Sequence, residues 1–248
     1  MSTPELTIPL QPGGPLAALR RLLAMAYAFL CVGGVVSYAF TSGPPEGLTW
    51  TAPAYLALSG ALVLACTPLK QWQGPLTAAL IGFASELSGV AFGLPYGHYE
   101  YTPVLGPALL GVPLVLTCAW LVLAAHVRGA LDAWRVPASA QPVLGAAWMT
   151  ALDLVIDPLA AGPLGYWSWS AGGVYYGIPA TNFAGWFVVS MVIFLALPAS
   201  WRPQRSLVWL GASVMAFFAA LALLLGYVWL GALSLVLVAL GLGGRRLP

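Results

Sequence analysis

Three acidic residues, Glu86, Asp153 and Asp157, stand inside long apolar runs of this 248-residue chain, and no Lys or Arg shares those runs with them. A carboxylate at bilayer depth is costly. Desolvation therefore favours the protonated form of at least one of the three, which makes it a proton donor at neutral pH. Helical spacing groups them. Thr150, Asp153 and Asp157 fall at i, i+3 and i+7, while Gly82, Ser85 with Glu86, Gly89 and Gly93 form a second small and polar stripe. Small residues let a neighbouring helix or a flat ligand approach the acids. The competing reading makes the acids simple interhelical ties, an account that suits one such residue better than three.

The elements that must position these acids follow from composition. The chain is 60% hydrophobic and 6% charged, with 9 Lys+Arg, 7 Asp+Glu and a mean hydropathy of +0.89. A water-soluble domain needs about a quarter of its residues charged. Soluble globular, disordered and basic nucleic-acid-binding classes are thereby excluded. With 28 Gly, 21 Pro and 11 Trp, the expected fold is an all-α, polytopic transmembrane helical bundle. Eight apolar runs are long enough to be spans: 22–40, 52–69, 75–92, 108–126, 142–159, 178–197, 207–225 and 227–242. The last two meet at a tight turn near Gly226. The run at 22–40 follows Arg20 and Arg21 but is too long for a signal-peptide core, and reads as a first span. With eight spans, Arg20, Arg21, Lys70, Arg128, Arg135, Arg202, Arg205, Arg245 and Arg246 all fall on one side, which the positive-inside rule makes cytoplasmic. Both termini are then cytoplasmic. The expectation is one integral-membrane domain over 1–248, with a short cytoplasmic tail at 1–20 and a catalytic core at 75–197. Cys31, Cys66 and Cys118 carry no disulfide or metal spacing.

The opposite side carries two loops, 94–107 and 160–177, without a Lys or Arg and dense in Tyr, Trp, Gly and Pro. An interfacial aromatic belt explains isolated aromatics; this density suits ordered lids or pocket walls. The two hairpins, spans three to four and five to six, also resemble each other. Pro75 and Pro142 open them, Glu86 and Asp153 follow eleven residues later, Tyr99-x-Tyr101 matches Trp167-x-Trp169, and Gly111-Val-Pro113 matches Gly177-Ile-Pro179. Such parallel repeats would set Glu86 and Asp153 face to face. Eleven residues of helix rise roughly 16 Å, about mid-bilayer. His126, beside Arg128, reads as an interfacial residue. His98 and Glu100, in the outer loop, are candidates for a proton relay, although a loop-surface histidine fits His98 equally well. No metal site is expected.

Together these motifs resemble the integral-membrane carotenoid hydratases of bacteria and archaea, which hydrate the acyclic end of gamma-carotene-type or bisanhydrobacterioruberin-type carotenoids. The likeness is carried by Glu86-Leu-Ser-Gly89, Gly93-Leu-Pro-Tyr-Gly-His-Tyr-Glu-Tyr101, Gly111-Val-Pro113, Asp153-Leu-Val-Ile-Asp157-Pro158, Tyr166-Trp-Ser-Trp169, and Gly173-Val-Tyr-Tyr-Gly-Ile-Pro179 through Asn182-Phe-Ala-Gly-Trp186, over roughly residues 80–195. The resemblance implies addition of water across a terminal double bond of an acyclic or monocyclic carotenoid, giving a tertiary alcohol, in carotenoid biosynthesis. Water, the lipid bilayer and other pathway enzymes are the expected partners, with no nucleic acid and no cofactor.

That reaction needs an acid, a cation-tolerant wall and one controlled water. Asp153 or Glu86 is the expected general acid, the other orienting water together with Asp157. Tyr96, Tyr99, Tyr101, Trp167, Trp169, Tyr175 and Tyr176 are expected to line the pocket through cation–π attraction. Asn182 either bonds the water or new hydroxyl, or merely starts span six. The alternatives are an intramembrane prenyltransferase-like enzyme, suggested by Asp153-x-x-x-Asp157, a proton-coupled transporter, and a passive carotenoid-binding protein.

Overall fold

A computed structural model describes residues 14–41 and 43–244. Among them, eight α-helices follow the apolar runs: α1 (Pro15–Thr41), α2 (Thr51–Cys66), α3 (Gln73–Phe92), α4 (Leu116–Ala133), α5 (Gln141–Ala161), α6 (Ala180–Ala196), α7 (Arg205–Leu224) and α8 (Val228–Gly243). The protein is a helical membrane bundle. Five helices have 18 or more residues and are apolar enough to cross a membrane, namely α1, α3, α4, α5 and α7; α2, α6 and α8 are shorter apolar helices of 16 or 17 residues. Spans seven and eight are separate helices, reversed through Gly226 at φ +82°.

The centre of the bundle is α4, which packs on α2, α3, α5, α7 and α8. Its flank α1 instead shows most of its surface outward, with Phe29 at 76% exposure, as a lipid-facing helix must. Where the sequence puts the fourth span at 108–126, the helix begins only at Leu116. Residues 108–113 form a small hairpin, β2 (Ala108–Leu109) paired antiparallel with β3 (Val112–Pro113). Proline and a positive-φ Leu110-Gly111 pair hold that stretch out of the helix.

The shift carries Arg128, expected beyond the end of the span, into α4. His126 is not interfacial but fully buried: its Nδ1 lies 2.8 Å from the Val208 carbonyl, and its ring fills the space over Gly211 and Gly241. Arg128 is 5% exposed and faces Asp132 one turn on, at 3.5 Å. Asp132, in the last turn of α4, also takes Arg202 Nη1 at 2.9 Å and Gln141 Nε2 at 2.9 Å. At this same end Arg20 Nε donates to the Ala65 carbonyl, the Arg202 N–H to Gln71 Oε1, and Arg205 to the Leu242 carbonyl. The described basic residues therefore gather at one end; Arg245 and Arg246 lie outside the described residues.

At the other end the two aromatic loops are ordered. β1 (Tyr99–Tyr101) pairs antiparallel with β4 (Trp167–Trp169), in the register Tyr99 with Trp169, Glu100 with Ser168, and Tyr101 with Trp167. That register is symmetric about its central pair, as a local two-fold relating the two hairpins requires. The turns agree. Leu110-Gly111 have φ +51° and +85°, and Tyr176-Gly177 have +52° and +80°, two positive-φ tight turns at matching places, flanked by Leu109 with Val112 and Tyr175 with Ile178. Contact of α3 with α6 and of α4 with α5 completes the exchange. The repeat read from the sequence is visible in the backbone.

Candidate active site

Strand alternation decides which loop residues turn inward. Tyr99, Tyr101, Trp167 and Trp169 fall on the inner face of the β1–β4 ribbon, and Glu100 and Ser168 on the outer, exposed face. His98 is exposed as well, its ring lying over Gly93. Neither His98 nor Glu100 reaches the acids, so the expected relay is not assembled. Across the ribbon Tyr101 meets Trp167 at 5.7 Å and Tyr99 meets Trp169 at 5.0 Å, an aromatic plate set over the ends of α3 and α5.

Beneath the plate, Glu86 Oε2 accepts the phenol hydrogens of Tyr99 and Tyr101, at 2.5 and 2.7 Å. Burial first, and the neighbouring Glu86 carboxyl second, hold both phenols well above their ordinary range, so both remain O–H donors. Tyr96 is held high by the same two causes in the same order, and its hydroxyl lies 2.6 Å from Ser85 Oγ. Because the Ser85 hydroxyl donates to the Gly82 carbonyl, Tyr96 is the donor in that pair.

From α5, Asp153 and Asp157 reach the first turn of α6, where Asn182 Nδ2 donates to Asp153 Oδ2 at 2.8 Å and to Asp157 Oδ2 at 2.6 Å. One amide, with its two hydrogens, bridges two carboxyl groups. Asp157 Oδ1 takes the Trp167 indole N–H at 2.7 Å. The Trp169 indole is buried near the same carboxyl without closing a hydrogen bond. Asp153, Asp157 and Asn182 are 1%, 1% and 2% exposed, and Glu86 is 7% exposed. Among the described residues, no three of His, Cys, Asp or Glu come together in a metal-binding arrangement.

These groups surround one cavity of about 120 Å³, room for about four waters at roughly 30 Å³ each. Glu86, Asp153, Asp157, Asn182, Tyr96, Tyr99, Tyr101, Trp167 and Trp169 all line it. Tyr175 and Tyr176 do not. Pro158 inside α5 has no N–H, which leaves the Leu154 carbonyl without its helical donor; the Tyr175 hydroxyl supplies one at 2.9 Å. Burial pushes that phenol up to about 12. Tyr176 is 45% exposed and packs on Tyr175 and Tyr227.

Sequence reading missed Trp120, Trp186 and Tyr166, which also face the cavity. Trp120 and Trp186 stack at 4.4 Å with 20° between planes. Gly82 makes the room for that ring, because a Cβ there would sit 2.2 Å from Trp120. The small stripe on α3 thus seats aromatic side chains, Trp120 at Gly82 and Tyr96 with Tyr99 at Gly89, rather than leaving an open path for a ligand.

The comparison with protein families decides what this arrangement belongs to: the model described as carotenoid biosynthesis protein matches residues 47–244, and so takes in α3 to α8 and both aromatic loops. The chain belongs to this carotenoid biosynthesis family. The bisanhydrobacterioruberin hydratase of Haloarcula japonica is 33% identical to it over an alignment of 186 positions that covers 69% of this chain and 62% of that protein. The chain thus covers less than two thirds of that relative's length. No solved structure matches the chain. Membership of the family supports a carotenoid-modifying role, and the cavity lies wholly within the matched region.

Proposed function

We propose that this family member is a carotenoid hydratase, which adds water across the terminal double bond of an acyclic carotenoid end group by acid catalysis. The observation that carries the reading is the unequal bonding of the three carboxyls around one aromatic cavity. Glu86 directs one oxygen to two phenol donors, and Asp157 has an N–H on each oxygen. Donors of this kind favour the carboxylate. Asp153 receives only its share of the Asn182 amide, and its Oδ1 makes no hydrogen bond to another described residue. Two carboxyls bridged by one amide repel each other if both are ionised, so the pair retains a proton, and the proton resides on Asp153.

In the reaction, Asp153 gives that proton to the less substituted carbon of the terminal alkene. The π pair forms the new C–H bond and leaves a tertiary carbocation. Trp120, Trp167, Trp169 and the tyrosines present ring faces to it, each contributing about 0.5–2 kcal/mol of cation–π attraction. Water forms the C–O bond from the side of Glu86, whose carboxylate takes the released proton. Transfer of that proton back to Asp153 restores the site. Asp157 and Asn182 hold Asp153 in place, and no cofactor enters these steps.

The cavity is well below the ~300–1,000 Å³ of a site for a drug-sized ligand. It admits an end group only, with the rest of the polyene outside this chamber, which suits chemistry at the chain terminus. The basic end is the cytoplasmic one, with eight spans, both termini on that side, residues 75–197 as the catalytic core and a bacterial plasma membrane as the setting. The test is the pigment content of a host that makes acyclic carotenoids, with and without this chain. The expected result is a new pigment heavier by one water and carrying a tertiary hydroxyl. Unchanged pigments, together with magnesium-dependent turnover of a prenyl diphosphate or proton-driven solute uptake, would favour the prenyltransferase or transporter readings instead.

A further inference from the structure

A second internal cavity, of about 100 Å³, adjoins the acid chamber. The two share Leu56, Leu105, Tyr166, Val214 and Phe218, so a single collar of side chains belongs to both. Beyond the collar, the second cavity runs between α1, α2 and α7 and is walled by Gly34, Tyr38, Pro44, Ala52, Leu164 and Phe217. It contains no acidic or basic residue. Of the polar groups at its edge, the Tyr55 hydroxyl pairs with Tyr27 at 2.8 Å and the Thr51 hydroxyl donates to the Leu48 carbonyl at 2.7 Å, which leaves the phenol hydroxyls of Tyr38 and Tyr166. Such a space, uncharged and mostly apolar, solvates hydrocarbon better than a polar solute. It also leads toward α1, the helix with the most lipid-exposed surface.

We infer that this second cavity is the polyene port: the linear, unreacting part of the substrate passes from lipid between α1, α2 and α7, through the collar, and delivers its end group to Asp153. The inference rests on the hydratase reading for the identity of the occupant. It adds a specificity device to that reading. A flat, unbranched conjugated chain passes a narrow apolar collar lengthwise, whereas an end already closed into a ring is wider than the chain behind it and is turned away.

Filling the port while sparing the acid chamber separates the two parts. Ala52 and Leu164 line the second cavity and not the first. Ala52→Phe and Leu164→Trp are each assayed in vesicles with a full-length acyclic carotene and with a truncated alkene bearing the same end group. The expected result is a fall of at least tenfold in the ratio of full-length to truncated turnover for both variants. A second readout uses pigment retained by the purified protein: adding Ala52→Phe to Asp153→Asn should lower carotene retention severalfold relative to Asp153→Asn alone. An unchanged turnover ratio, or unchanged retention, overturns the port. If the unsubstituted protein hydrates neither alkene, the hydratase reading fails, and the retention measurement still decides the port.

Discussion

The two ends of the bundle handle buried carboxyl groups in opposite ways. At the basic end Asp132 is held by two guanidinium groups and an amide, Arg128 at 3.5 Å, Arg202 at 2.9 Å and Gln141 at 2.9 Å, and it lines neither of the two adjoining cavities. At the aromatic end Glu86, Asp153 and Asp157 receive hydrogen bonds from neutral phenol, indole and amide groups around an open chamber. A guanidinium takes up a carboxylate's oxygens in an ion pair. Neutral donors position a carboxyl without a counter-charge, so ionised and protonated acids can share one chamber. The comparison teaches that acid type alone does not mark a site; the charge of the partners and the space beside the acid do.

Breaking the contrast at its strongest point gives the largest effect. Asp153→Asn should lower hydroxylated product by about 10²–10⁴-fold per folded protein, the usual contribution of a general acid. Asp132→Asn should leave product per folded protein within severalfold and instead lower stability by about 1–3 kcal/mol, as expected when a largely buried hydrogen-bonded charge is removed; thermal unfolding in detergent reads it. Glu86→Gln comes next, with a loss of about tenfold to a hundredfold, because water remains in place but its proton acceptor is gone. Trp167→Phe removes the indole donor to Asp157 while keeping a ring in the wall, and a loss near tenfold corresponds to about 1.4 kcal/mol of positioning. The smallest change is expected at Tyr176→Phe, where initial rates should stay within about twofold because the ring lies outside the chamber.

Most of the fold was legible because apolar run length reports helices directly, and the runs at 75–92, 142–159 and 207–225 match α3, α5 and α7 to within a few residues. The fourth run misled because hydropathy does not register the positive-φ turn at Leu110-Gly111, so an apolar hairpin read as helix. The repeat predicted that Glu86 and Asp153 would share a site, and both line one chamber. The outward turn of His98 and Glu100 was also within reach, since alternation from Tyr99 and Tyr101 places them on the other face. His126 and Trp120 were harder. Each is buried by glycines on helices distant in sequence, Gly211 and Gly241 for the first and Gly82 for the second, and a single chain offers no pattern linking those positions. Tyr175 was assigned to the pocket because aromatic loops suggest one, but its hydroxyl serves a carbonyl that Pro158 leaves free.

The most direct test of the central claim, that Asp153 carries the proton the alkene receives, is isotopic. Purified protein in lipid vesicles is given an acyclic carotene in deuterated water, and the product is weighed by mass spectrometry. The account predicts one non-exchangeable deuterium on the carbon beside the new tertiary alcohol, formed by the unsubstituted protein and lost with Asp153→Asn while the variant remains folded. Undiminished labelled alcohol from Asp153→Asn would contradict it.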